Sequence, residues 1–112
     1  MFKNLFKSEA PYRDVQPADV AAAKGARIID VREPSEFHDA LGHIPGAELV
    51  PLGRLSRALE SAPRDQELFI VCRSGGRSAR ASSELAGLGF SKVHNMVGGM
   101  MRWNQEGRPV ER

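Results

Sequence analysis

A chain of 112 residues with 41% apolar and 27% charged side chains has the makeup of one globular domain with a real hydrophobic core. A net charge of +2 without any block of five or six like charges excludes a nucleic-acid tail, and it favours a small anionic ligand over a cationic one. No apolar stretch approaches the roughly 20 residues of a membrane helix, and a single cysteine excludes an internal disulfide and a thiolate zinc site, which suits a reducing, cytoplasmic setting.

Residues 1–12 carry lysines within a short apolar run, too interrupted for a secretory segment, and read as an N-terminal extension. Pro17 to Lys24 is a short helix with proline near its start and Gly25 closing it. Arg27 to Val31 is a short buried strand. Pro34 to Ala40 is a second short helix, also opened by proline, and His43-Ile44-Pro45-Gly46-Ala47 is a turn. Glu48 to Val50 is a strand. Leu52, Leu55 and Leu59, spaced three and four apart, give Leu52 to Ser61 one apolar helix face. After a turn at Pro63-Arg64-Asp65, Glu67 to Val71 forms the most apolar strand. Ser78 to Leu88 is a helix with Ser78 as its N-cap and Gly89 as its stop. Lys92 to Met96 is the last strand, and Gly99 to Gln105 a final helix that carries Trp103. Strands separated by helices predict an α/β fold, a mainly parallel sheet with helices on its faces and a ligand crevice at the carboxyl ends of the strands.

Cys72 is the only cysteine and stands at the end of the most apolar strand, followed by Arg73-Ser74-Gly75-Gly76-Arg77-Ser78 and a helix. Glycines let successive backbone N–H groups converge on one point. Arg73 and Arg77 add charge-assisted donors, and Ser74 adds a hydroxyl. Such a cradle, together with the positive end of a helix dipole, favours the thiolate, the nucleophilic form. On chemistry alone three readings stand: a sulfur site, a phosphate site, or a buried structural thiol.

Two further segments match this loop in order and spacing. Ile29-Asp30-Val31-Arg32-Glu33, then Glu36-Phe37 and Gly42-His43-Ile44-Pro45-Gly46-Ala47, resembles the first signature of the single-domain rhodaneses. Cys72 to Ser78 resembles their active loop, and Val97-Gly98-Gly99-Met100-Met101-Arg102-Trp103 with Gly107-Arg108-Pro109-Val110 resembles their C-terminal signature. The Glu36–Gly42 segment is slightly longer than the commonest family form. The resemblance covers about residues 13–112, which would be the rhodanese domain. It implies a five-stranded parallel sheet flanked by helices on both faces and a sulfurtransferase that forms a persulfide on Cys72.

A donor such as thiosulfate, a persulfide or a polysulfide would load the thiolate, with Arg73, Ser74, Gly75, Gly76, Arg77 and Ser78 binding the anion. An external thiol (glutathione, thioredoxin or a partner protein) or cyanide would unload it. The alternative is a low-turnover persulfide carrier that serves one partner protein. Neither a cofactor nor a metal is expected, because His38, His43 and His94 are scattered without metal-ligand spacing. A phosphatase use of the same fold needs five residues between cysteine and arginine. Here four separate Cys72 from Arg77 and position 78 is serine, so the cradle is smaller and fits a single sulfur atom. Asp30 and Arg32 are expected to support the loop, with Arg32 pairing Glu36, and His43 to serve its turn rather than act as a base. Arg80 reads as a solvated arginine of the helix after the loop, and Met100, Met101 and Trp103 as core or pocket wall.

Overall fold

A computed structural model describes residues 11–112. Five strands form one sheet: β1 (Arg13–Val15), β2 (Arg27–Asp30), β3 (Glu48–Leu49), β4 (Leu68–Val71) and β5 (Val93–Met96). Every pairing is parallel, in the order β1-β5-β4-β2-β3. The helices are α1 (Pro17–Ala22), α2 (Pro34–Phe37), α3 (Leu55–Ala58), α4 (Gly76–Gly87) and α5 (Gly99–Gln105).

Alternation along the strands divides the core in two. Leu68, Ile70 and Cys72 face one side with Leu55 and Leu59 around α3 and with Ala81 and Leu85 of α4. Phe69 and Val71 face the other side with Val20 of α1 and with Met100 and Trp103 of α5. Cys72 shares the parity of Leu68 and Ile70, so its side chain points toward α4. β4 is buried at all four positions, as its unbroken apolar run requires in a central parallel strand.

Three local departures have physical reasons. Arg13-Asp14-Val15 is an edge strand with two exposed charged residues, so it lacks the apolar run that marks β2 and β4. Leu52 to Arg54 is a 3-10 turn rather than α-helix, and α3 holds only four residues after it. The helix after the cysteine begins at Gly76, two residues before the expected start, with Gly75 as its cap at φ +109°. Ser78 therefore sits inside the first turn and is not the N-cap.

Candidate active site

The carboxyl ends of β2 and β4 form one rim. Asp30 and Val71 are register partners, and the Val31 N–H donates to the Val71 carbonyl at 2.9 Å. Cys72 follows directly, 1% exposed, at the N-terminus of the twelve-residue α4. Its sulfur accepts the Gly75 N–H at 3.1 Å and lies 3.3 Å from the Ser78 Oγ. Burial opposes the thiolate. The Ser78 hydroxyl and the backbone N–H groups of Ser78, Gly75 and Ser74 outweigh it, so the thiol lies below its ordinary pKa. The Ser78 N–H lies in the first turn of α4, where no intrahelical acceptor competes for it, and Gly75 and Ser74 stand at and just before the cap.

The other loop residues divide by role. Arg73 and Ser74 are exposed beside the sulfur, and among the described residues the Arg73 side chain makes no ion pair. Arg77 does not turn to the sulfur. Its guanidinium grips Glu36 of α2 through two bonds of 2.7 Å, while its charge still acts on Cys72. Glu36 also accepts the Glu33 N–H at 3.1 Å, so one carboxylate fixes the start of α2 and the loop after Cys72 together. The Arg77 hydrogen bonds, aided by the Glu33 N–H, hold Glu36 down to about 2. Its folded pKa lies below its ordinary value of 4.5, so the stabilisation is whole above that pH and fades as pH falls toward 2. Glu36→Gln is expected to lower unfolding free energy by about 1 kcal/mol or less near pH 6, since both partners are partly exposed. Urea titrations at stepped pH should show the gap to wild type closing below pH 4.5.

Arg32 has a different partner from the one its spacing suggested. It is wholly buried, and its Nε and Nη2 bind the Asp30 carboxylate at 2.9 and 2.8 Å rather than Glu36. Nη2 also donates to the Gly42 carbonyl at 2.7 Å, and Asp30 accepts the Arg32 N–H at 3.1 Å. This pair fixes the first-signature loop next to the rim without touching the sulfur. His43 stacks on Phe37 at 3.6 Å between ring centroids and donates from Nδ1 to the Phe37 carbonyl, which occupies it structurally. A cavity of about 350 Å³ lined by Arg13, Glu67, Lys92 and His94 lies at the opposite, amino-terminal edge of the sheet.

The glycine pair at the start of α5 is a buttress whose mechanism the sequence pattern does not reveal. The N–H groups of Met100 and Met101 donate to the carbonyls of Cys72 and Arg73 at 2.9 and 3.0 Å. This close approach needs Gly99: a Cβ there would lie 2.5 Å from the Cys72 carbonyl oxygen and also meet the Arg73 carbonyl, and φ is +56°. Gly99→Ala is expected to destabilise by about 2–4 kcal/mol and to displace the loop. Trp103 fluorescence during urea unfolding reads the first effect, and Cys72 reactivity reads the second.

A profile of the Rhodanese-like domain matches residues 16–106. The chain belongs to the rhodanese-like family. This rhodanese-like chain is 36% identical over 88 residues to the thiosulfate sulfurtransferase GlpE of Ectopseudomonas mendocina, covering 79% of each chain. It is 38% identical over 84 residues to the putative sulfur carrier protein YrkF of Bacillus subtilis, covering 75% of this chain and 44% of that one. It likewise spans only 64% of a second Bacillus subtilis relative. The crystal structure of a rhodanese-related protein from Thermoplasma volcanium superposes with a TM-score of 0.79 at 34% identity, covering 89% of this chain and 98% of that one. The five-stranded parallel sheet expected from the rhodanese resemblance is the sheet found, with β1 supplying the strand that the sequence pattern did not reveal.

Proposed function

We propose that this rhodanese-like domain moves sulfane sulfur from a small anionic donor, thiosulfate or a persulfide or polysulfide, to an external thiol or cyanide. The observation that carries this reading is the Cys72 sulfur under the Gly75 N–H at the start of α4, with its pKa depressed. In the first step the thiolate attacks the outer sulfur of thiosulfate. A new S–S bond forms on Cys72, and the old S–S bond breaks with its electron pair leaving on sulfite. In the second step the acceptor thiolate or cyanide attacks the outer sulfur, and Cys72 leaves as thiolate. No oxidant is consumed, and two half-reactions on one nucleophile give ping-pong kinetics.

Arg73 is the loop guanidinium best placed for the donor's oxygens, because Arg77 is committed to Glu36. The Gly75, Gly76 and Ser78 backbone would hold the loaded sulfur. With no second cysteine in these residues, the persulfide cannot be resolved internally, so glutathione, thioredoxin or a partner protein must take it. A reducing compartment, the cytoplasm, supplies such thiols. No helix among the described residues is long and apolar enough to cross a membrane.

A carrier role is the second reading, favoured by the near-complete burial of Cys72 and by the name of the YrkF relative. Purified protein given thiosulfate and cyanide should form thiocyanate with saturation in thiosulfate, and mass spectrometry should show Cys72 gaining one sulfur. Stoichiometric loading with negligible turnover would select the carrier. No gain of sulfur from any donor would overturn both.

A further inference from the structure

Asn95 is an amide in the middle of a buried strand, 3% exposed, where an unsatisfied polar group would be costly. Its Nδ2 donates to Asp14 Oδ1 on β1 at 3.0 Å. A carboxylate only accepts, so Asp14 orients the amide and leaves the Asn95 Oδ1 facing inward as an acceptor. That oxygen lies 2.5 Å from the Ser78 Oγ. The same Oγ lies 3.2 Å from the Gly75 carbonyl and 3.3 Å from the Cys72 sulfur. A hydroxyl has one proton, and three acceptors surround it. Asn95 is the nearest.

We propose that Asn95 is a positioning residue that holds the Ser78 hydroxyl proton away from the Cys72 sulfur and so restrains the thiol from ionising as far as its loop would allow. The proposal rests on Cys72 being the nucleophile. In the resting thiol the S–H donates to the Ser78 lone pair while the Ser78 O–H serves Asn95. On ionisation the sulfur keeps its backbone donors, and the Ser78 hydroxyl gives the thiolate its support only by turning away from Asn95, which makes that support weaker than it would otherwise be. The restraint has a use in a two-step transfer. A more basic thiolate attacks the donor better, whereas a less basic one leaves the persulfide faster. Asn95 makes each thiolate a better attacker at the cost of fewer thiolates at rest.

Other charges near the sulfur are Arg77 on α4, bound to Glu36 of α2; Arg73 in the loop; the Asp30–Arg32 pair after β2; and Asp14 on β1. Replacing Asn95 removes none of these charges, though Asp14 loses its hydrogen bond from the amide.

The test is a pH titration of thiolate absorbance near 240 nm, with Cys72→Ser subtracted. Asn95→Leu, close in size to the amide, should lower the midpoint by at least half a unit, about threefold more thiolate below it. In a Ser78→Ala background the same substitution should leave the midpoint unchanged, because the proton it releases is gone. An unchanged or raised midpoint, or an equal shift in both backgrounds, overturns the proposal.

Should Asn95→Leu fail to fold, Asp14→Asn on the exposed edge frees the amide to turn. Its shift should be larger with Ser78 present than with Ser78→Ala, and equal shifts overturn the proposal just as firmly. The titration uses no sulfur donor. A shift without thiocyanate formation would fault only the sulfur-transfer reading, and thiocyanate without a shift would fault only the role of Asn95.

Discussion

Cys72→Ser is expected to abolish thiocyanate formation, by at least about 10³-fold, while leaving the fold intact. Serine fits the space, and its hydroxyl can accept the Gly75 N–H that now reaches the sulfur. An alkoxide at neutral pH is far out of reach, and oxygen cannot take up a transferable sulfur in this cycle. The variant should therefore show native Trp103 fluorescence, no gain of mass with thiosulfate, and no thiolate step near 240 nm, leaving only the alkaline step of Tyr12. Since the chain has one cysteine, each readout isolates that residue. Retained turnover in Cys72→Ser would remove the persulfide mechanism altogether.

The largest effect on stability is expected at Asp30. Asp30→Ala leaves the Arg32 guanidinium buried beside the Gly42 carbonyl with no countercharge. Breaking one partner of a buried ion pair costs about 3–5 kcal/mol, a large share of the roughly 5–15 kcal/mol that holds a domain together. The urea midpoint should fall accordingly, with little change in slope. The double variant Asp30→Leu with Arg32→Met removes both charges together and should recover most of that loss. If Asp30→Ala were as stable as wild type, the pair would have no part in holding the first-signature loop.

How much of this was legible in the sequence depended on whether the signal was local. β2 and β4 announced themselves as apolar runs, and the cysteine with its glycines and arginines marked the loop. β1 did not, because an edge strand of Arg13, Asp14 and Val15 owes its place to pairing with β5 and not to burial. The arginine partners were beyond reach for the same reason. Spacing favoured Arg32 with Glu36, yet Arg77, forty-one residues away in sequence, takes Glu36 across the rim. Ser78 looked like a cap because serines often are. That Gly75 caps the helix with a positive φ, freeing Ser78 to turn inward, is decided by the loop's three-dimensional path. Gly98 and Gly99 were visible as a pattern, but only the carbonyls of Cys72 and Arg73 lying against Gly99 explain it.

The depth of the sulfur has one more consequence. With 1% of Cys72 exposed, the reduced thiol is concealed from bulky electrophiles and from other proteins. Loading, as proposed, would add a second sulfur about 2 Å beyond the first, the length of an S–S bond. On the proposed function, the empty protein would hide its reactive atom and the loaded one would bring the transferable sulfur nearer the surface. A partner would then distinguish the loaded protein from the empty one by contact with that sulfur.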